Sequence, residues 1–281
     1  MRRAAPAADY PRRAMRLDLH GRRALVTGAS GGLGPAIARA LHARGAHVVL
    51  SARRVAALEA LAAELGERAE VVPADLAAAD DRARLCELAK GVDVLVPNAA
   101  LPASGPLDSF TPEEIDRALD VNLRAPIQLA RAAVPEMVAR GRGAIVFVNS
   151  LSGKVAAPGQ SLYAATKSGL RGFARSLRED LHSSGVTVAT IFPGFIRDAG
   201  MFADTGVRLP PGTGTSTSED VAAAVVRAIA TGKAEIDVAP LHMRLGARMH
   251  EVAPSVAAAV TRRLGAAEVA ARIADRQRDK R

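Results

Sequence analysis

Tyr163 and Lys167 stand four residues apart in the run Tyr163-Ala164-Ala165-Thr166-Lys167, a spacing that puts both side chains on the same face of a helix. An ammonium beside a phenol favours the phenolate, so the pair predicts a tyrosine pKa lowered toward the working range and a usable proton donor or acceptor. The spacing alone is common on amphipathic helices. Its weight comes from Ser150, thirteen residues upstream at the end of an apolar strand, where a hydroxyl can bond a substrate oxygen.

A second group of residues is suited to an anion. The apolar run 24–26 leads into Thr27-Gly28-Ala29-Ser30-Gly31-Gly32-Leu33-Gly34 and then an Ala-rich helix. Glycine at 28, 32 and 34 permits a tight turn, close approach of backbone to a pyrophosphate and close helix packing, and the helix N-terminus offers free amides. Pro35 early in that helix costs no internal hydrogen bond. Gly28, Ser30, Gly32, Leu33 and Gly34 are therefore the expected nucleotide contacts. The next strand ends Leu50-Ser51-Ala52-Arg53-Arg54. A carboxylate there would accept from the ribose of NAD and repel a 2′-phosphate. With no acid and two guanidiniums available, NADP(H) is expected over NAD(H). The alternative is that one or both arginines solvate the start of the following helix.

These residues need a scaffold, and the hydrophobic pattern supplies one. From Arg23 onward, short β-branched runs alternate with segments of helical period. Strands are expected at 24–27, 47–50, 70–72, 92–96, 144–149, 186–191 and 235–238, several apolar throughout, as a sheet covered on both faces requires. Helices are expected at 33–44, 55–65, 112–129 and 162–182, the third opening on Thr111 as N-cap. The fold class is α/β, a doubly wound Rossmann fold with a seven-stranded parallel sheet and helices on both faces. The Gly/Pro/Thr/Ser stretch 209–218 interrupts this rhythm and reads as a mobile loop before a helix capped by Ser218.

Taken together, residues 27–34, Asn98-Ala99-Ala100, Val121-Asn122, Ser150, Tyr163 to Lys167 and Pro193-Gly194 resemble, in order and spacing, the classical short-chain dehydrogenase/reductase family. The resemblance covers roughly residues 19–238. It implies that Tyr163 is the acid/base, that Ser150 holds and polarises the reacting oxygen, and that Lys167 binds the nicotinamide ribose and lowers the tyrosine pKa. Asn122 would position a relay water. It further implies that Asp75 and Leu76 contact the adenine, that Asn98 and Ala99 line the adenine ribose, and that Pro193, Gly194 and Ile196 embrace the nicotinamide. Read locally, Asp75 could instead be a helix N-cap, Asn98 a turn former, Asn122 a buried hydrogen-bonder and Pro193-Gly194 a plain strand end. Two positions depart from the family pattern. Ala100 stands where glycine is common, and its methyl could crowd the ribose. Asp198 stands where a threonine often holds the carboxamide, and it could accept from that amide or repel an acidic substrate.

Composition sets the outer limits. The chain has 281 residues, 49% of them hydrophobic, with no Trp and only 3% aromatics. Ala, Val, Leu and Ile must build the core, and base stacking on a nucleic acid is disfavoured. The net charge of +9 lies mostly at the ends, with +4 in residues 1–16 and +4 in residues 260–281, so the body is near neutral. Solvated tails are expected rather than a nucleic-acid surface. Three regions follow: a basic N-terminal tail (1–16), a Rossmann-type domain (17–240) and a helical C-terminal extension with a basic tail (241–281). In the extension, Leu245, Met249, Val252, Val256, Val260 and Leu264 form a stripe of helical period, expected to pack on the parent domain or a sister subunit rather than lie on a membrane. Cys86 is the single cysteine, which fits a reducing cytoplasm. No apolar run reaches the length of a membrane span. No residue is assigned to a metal. The expected activity interconverts a ketone or aldehyde and an alcohol on an apolar or amphipathic, steroid-, acyl- or polyketide-like molecule, in a homodimer or homotetramer. The competing reading is a non-catalytic NADP-binding sensor or scaffold.

Overall fold

The computed structural model describes residues 17–263 and 266–280; the N-terminal basic tail and Leu264 lie outside them. Seven strands, β1 (Arg23–Thr27), β2 (His47–Ser51), β3 (Ala69–Val71), β4 (Val94–Val96), β5 (Gly143–Val148), β6 (Val186–Pro193) and β7 (Glu235–Val238), form one sheet in the order β3-β2-β1-β4-β5-β6-β7. Every neighbouring pair is parallel. All seven expected strands exist, with ends shifted by up to two residues. The chain reverses direction of travel across the sheet between β1 and β4, and that reversal opens a crevice at the strands' carboxyl ends.

Helices cover both faces. Successive strand residues point to opposite sides, so Ala24 and Val26 pack with Ile37, Leu41, Val225 and Ile229 of α1 (Gly34–His42) and α8 (Ser218–Thr231). Leu25 instead packs with Leu85, Leu129 and Leu170 of α3 (Ala79–Ala89), α5 (Ala125–Ala139) and α6 (Ser161–Asp180). The strand α2 (Val55–Leu65) follows is β2, and Leu58 and Leu61 bury its inner side.

Two expectations about helices are corrected. The stretch 112–129 is not one α-helix but α4 (Pro112–Leu119), a π turn (Asp120–Arg124) and the start of α5. Pro126 lacks the N–H that an α-helix would direct at the Asn122 carbonyl, and the Ala125 N–H reaches back to Asp120 instead. The cap of α8 is Thr217, not Ser218: Thr217 accepts from the Asp220 N–H at 3.1 Å and Asp220 accepts from the Thr217 N–H at 2.9 Å. This reciprocal capping box satisfies two amides that Ser218 alone would leave. At α4 the expected Thr111 cap is present, with Glu114 as its partner.

Beyond β7, α9 (Leu241–Val252), α10 (Pro254–Arg263) and α11 (Ala266–Gln277) return over the carboxyl edge of the sheet. Of the two bodies expected to cover the apolar stripe, the parent domain and a sister subunit, the parent domain does not cover it. Leu245 is 50% exposed and Val252 86%, and Met249, Val256 and Val260 are also exposed. A different face of α9 is used: Met243 and Ala247 pack on Leu151 and Phe192, and Glu251 pairs with Arg171 of α6. Arg171 also grips Glu235 at 2.9 Å, where Lys154 and Arg175 converge. Burial works upward on the Glu235 carboxyl, but hydrogen bonds from Arg171, Arg175 and Lys154 hold it at about 2. α11 buries Ile273, Ala274 and Gln277. Burying one isoleucine contributes about 1.5–3 kcal/mol, whereas a half-exposed ion pair such as Lys280–Asp204 contributes about 0–1 kcal/mol, so apolar contact dominates the docking of α11. Among the described residues, no helix is long and apolar enough to cross a membrane.

At the glycine loop, backbone packs closely against backbone. A Cβ on Gly34 would sit 2.2 Å from the Gly28 carbonyl oxygen, and one on Gly28, whose φ is +68°, would sit 2.8 Å from the Ala99 Cα. Backbone lies on both sides, so no side chain can rotate away. Gly34→Ala is therefore expected to lower unfolding stability by about 1–3 kcal/mol, read as a reduced urea midpoint; an unchanged midpoint would show that the loop has slack.

Candidate active site

The crevice is a single cleft of about 1010 Å³ that runs from the end of β2 past the glycine loop to α6 and the C-terminal helices. At one end, Thr27 is the junction. Its hydroxyl accepts from the N–H groups of Asn98 (3.0 Å) and Ala99 (3.1 Å), and the Asn98 side-chain amide donates to the carbonyls of Thr27 (2.9 Å) and Gly28 (3.3 Å). Asn98 thus staples the end of β4 to the glycine loop, a structural task beyond turn formation. Asp75 accepts from the Ala77 N–H at 3.0 Å, closing the turn that presents Leu76. Buried Arg82 donates to the Leu76 and Ala77 carbonyls at 2.8 and 2.7 Å. Sequence reasoning missed Arg82, because an arginine on an amphipathic helix carries no local sign of being turned inward.

Arg53 and Arg54 are exposed at the end of β2, and both line the cleft. Arg54 reaches across to donate to the Ser30 carbonyl at 2.8 Å, and a Cβ on Gly31 would lie 2.0 Å from its guanidinium. Ser30 and the bare Gly31 thus let a cation rest on the loop. This concentration of positive charge beside the N-terminus of α1 fits a phosphorylated dinucleotide.

At the other end, Ser150, Tyr163 and Lys167 line the same cleft. Ser150 begins a 3₁₀ turn (Leu151–Gly153) and accepts from the Ser152 N–H at 3.1 Å. Lys167 is 2% exposed; its ammonium lies 5.6 Å from the Tyr163 ring centre and donates to the Val148 carbonyl at 3.5 Å. Asn149 ties the two elements together: its carbonyl oxygen accepts from the Ser150 N–H at 2.8 Å, and its amide donates to the Lys167 carbonyl at 3.0 Å. Sequence reasoning took Asn149 only as a strand end. A polar chain continues outward, Ser152 donating to Gln160 at 3.0 Å and Gln160 to Ser104 at 3.4 Å.

Electrostatics here differ from the expectation that the ammonium lowers the phenol pKa. Burial pushes Tyr163 up to about 12, with Ser150 acting downward. Burial also pushes Lys167 down to about 8. Both shifts have the same leading cause, the cost of charge within the protein.

Most expected site residues meet in the cleft: Gly28, Ser30, Gly32, Leu33, Asp75, Leu76, Asn98, Ala99, Pro193, Gly194 and Ile196 line it with the arginines and the Ser-Tyr-Lys set. Gly34 and Asn122 do not. Gly34 lies behind the loop. Asn122 is fully buried, accepting from the Leu101 N–H at 2.7 Å and donating to the Leu101 carbonyl at 2.9 Å. Asp198 also stands off the cleft. Its carboxylate takes the Ser218 N–H at 3.0 Å and hydroxyl at 2.7 Å, which ties it to the start of α8 and away from the cleft lining. Burial works upward on Asp198, but the Ser218 hydrogen bonds prevail and hold its pKa below the ordinary value. The 209–218 stretch is tied to this region, Ser216 donating to the Phe195 carbonyl and accepting from the Arg197 N–H.

The short chain dehydrogenase family model matches residues 22–207. The chain is 44% identical over 186 residues to Nodulation protein G of Rhizobium sp. (strain N33), covering 65% of this chain and 76% of that protein. It is 36% identical over 181 residues to 3-oxoacyl-[acyl-carrier-protein] reductase FabG of Rickettsia conorii, covering 64% and 75%. A short-chain dehydrogenase from Sphingobium yanoikuyae, solved in complex with NADPH, superposes with a TM-score of 0.74 at 30% identity, over 83% of this chain and 93% of that one. This chain belongs to the short-chain dehydrogenase family of oxidoreductases.

The buried lysine makes a stability prediction with a definite sign. With a folded pKa of about 8 against 10.5, the unfolded chain binds more protons between those values, so stability rises with pH in that window. Lys167→Met is expected to stabilise the cofactor-free protein at pH 7 by up to roughly 3 kcal/mol and to flatten the rise. Thermal melts of both proteins from pH 7 to 10 check this; parallel curves would refute it.

Proposed function

We propose that this chain is an NADP(H)-dependent oxidoreductase that interconverts a ketone or aldehyde and an alcohol, acting on an apolar or amphipathic molecule of steroid, acyl or polyketide type. The observation that carries this reading is the meeting of Ser150, Tyr163 and Lys167 at one end of a cleft whose other end is the glycine loop. The nicotinamide supplies or accepts a hydride at the carbonyl carbon. Gly28, Gly32 and Leu33 hold the pyrophosphate over the start of α1, Asp75 and Leu76 border the adenine, Asn98 and Ala99 its ribose, and Pro193, Gly194 and Ile196 the nicotinamide.

Ser150 holds the reacting oxygen, and Tyr163 gives it a proton. A phenol at about 12 is protonated at neutral pH, which suits donation in the reductive direction. Lys167 supplies positive charge to the phenolate as it forms. Asn122 contributes to proton supply through its main chain, because its side chain is committed to Leu101 and Pro126 leaves its carbonyl without an α-helical donor. That carbonyl is suited to hold a relay water. The Ala100 methyl leaves this set in place, and Asp198 has a structural task, so neither departure favours the sensor reading.

Preference for NADP(H) rests on Arg53, Arg54 and the lack of an acid after β2, and the similarity to a protein solved with NADPH supports it. The acyl option is supported by the similarity to a 3-oxoacyl reductase. The exposed stripe on α9 and α10 supports assembly as a homodimer or homotetramer, and the lone Cys86, whose thiol burial pushes upward, accords with a cytoplasmic location.

NADPH and NADH titrated separately by cofactor fluorescence are expected to show tighter NADPH binding, and Arg53→Ala with Arg54→Ala should erase the difference. Tyr163→Phe should bind NADPH as the parent does while kcat on an apolar ketone falls by about 10²–10⁴-fold. Retained turnover would remove Tyr163 from the reaction, and NADH preference would overturn the role of the arginines.

A further inference from the structure

The single turn α7 (Gly200–Ala203) is too short to hold itself, and it is pinned from two sides. A Cβ on Gly32 would lie 3.4 Å from the Gly200 Cα, so α7 rests on the glycine loop. From the opposite side, Gln277 of α11 donates to the Met201 carbonyl at 3.0 Å and Lys280 pairs with Asp204 at 2.8 Å. Val269, Ala270, Ile273 and Gln277 fall on one face of α11, and all four line the cleft. The cleft, at about 1010 Å³, stands at the upper end of the 300–1,000 Å³ range for small-molecule sites, which leaves room for a substrate beside a dinucleotide. α11 lies beyond residue 207, where the family match ends, so this wall belongs to the chain's own extension.

We propose that α11 is the substrate-selecting wall of the cleft: Val269, Ala270 and Ile273 receive the apolar body of a carbonyl substrate while Gln277 holds α7 against it. The inference rests on the carbonyl-reductase reading and deepens it. Near Tyr163 the cleft offers the polar chain of Ser152, Gln160 and Ser104, which suits a carbonyl and its immediate substituents. Farther out, the amide of Gln277 is already used on Met201, and the other three α11 residues offer no hydrogen bond. Asp204 and Lys280 also line the cleft but are paired with each other, and Val269, Ala270 and Ile273 cannot bond the hydroxyls of a sugar or small polar ketone. An extended aliphatic or alicyclic body meets apolar surface instead. Ile273 and Gln277 act differently: the first touches the substrate body, while the second positions α7.

The test uses the full chain with Val269→Asp and, in case a charge disturbs α11, Ala270→Leu, which narrows the wall without a charge. Decan-2-one and butan-2-one are the probes. The ratio of their KM values (decan-2-one over butan-2-one) should rise by at least about tenfold in both variants, with NADPH affinity as in the parent. Calorimetric titration of decan-2-one into the NADP⁺-loaded protein gives a second readout that needs no turnover, and its Kd should rise by at least about tenfold in each variant. Gln277→Ala should speed hydrogen exchange at residues 201–204. Equal KM changes for the two ketones, or unchanged decan-2-one binding in both variants, overturns the wall. Decan-2-one binding that weakens in the variants without any turnover by the parent would keep the wall and overturn the reductase reading.

Discussion

The ends of β1 and β4 can lie beside the first turn of α1 only because nothing larger than hydrogen projects from Gly28 and Gly34. That close approach fixes where the amides of α1 point, and it brings the Thr27 hydroxyl within reach of two consecutive N–H groups on the neighbouring strand end. Everything at the dinucleotide end hangs on this seam. Arg54 lies on the loop because Gly31 is bare, and α7 rests on Gly32. Buried backbone polar groups need partners, and here Asn98 and Thr27 supply them while holding the crevice open.

The other end of the cleft is organised around charge that the protein has made costly. Lys167 is enclosed near the Tyr163 ring, and burial depresses the one while raising the other. Such groups persist when the surroundings leave them no alternative position. Asn149 does this by joining the Ser150 N–H to the Lys167 carbonyl. Gly153 permits it, since a Cβ there would meet both Asn149 and Lys167 within 3 Å. The geometry of the Ser-Tyr-Lys set is thus held by the Asn149 side chain, bonded to backbone on either side, and its electrostatics follow from enclosure.

The C-terminal extension presents two faces with different consequences. Toward the sheet, Met243, Ala247 and the Arg171–Glu251 pair seat α9, and α11 closes on α7. Away from it, the apolar stripe from Leu245 to Val260 stays in solvent. Periodicity identifies a face that is apolar; it does not say which body covers it. The face that does pack is made of small and mixed residues whose pattern is weak, because an ion-pair cluster and a few close contacts do the seating.

Local chemistry was enough to read the strands, the glycine loop, the absence of an acid after β2 and the Ser150, Tyr163 and Lys167 spacing, because each depends on backbone sterics or on residues a few positions apart. The parallel seven-stranded sheet followed from its apolar runs for the same reason. What the tertiary structure alone decided are the matters that depend on residues far apart in sequence. Asn122 turns inward to Leu101, Asp198 is claimed by Ser218, Arg82 props the Leu76 carbonyl, and Thr217 displaces Ser218 as the cap. The direction of the Tyr163 shift belongs with them. Burial is a property of everything packed around a side chain, and no spacing between two residues contains it.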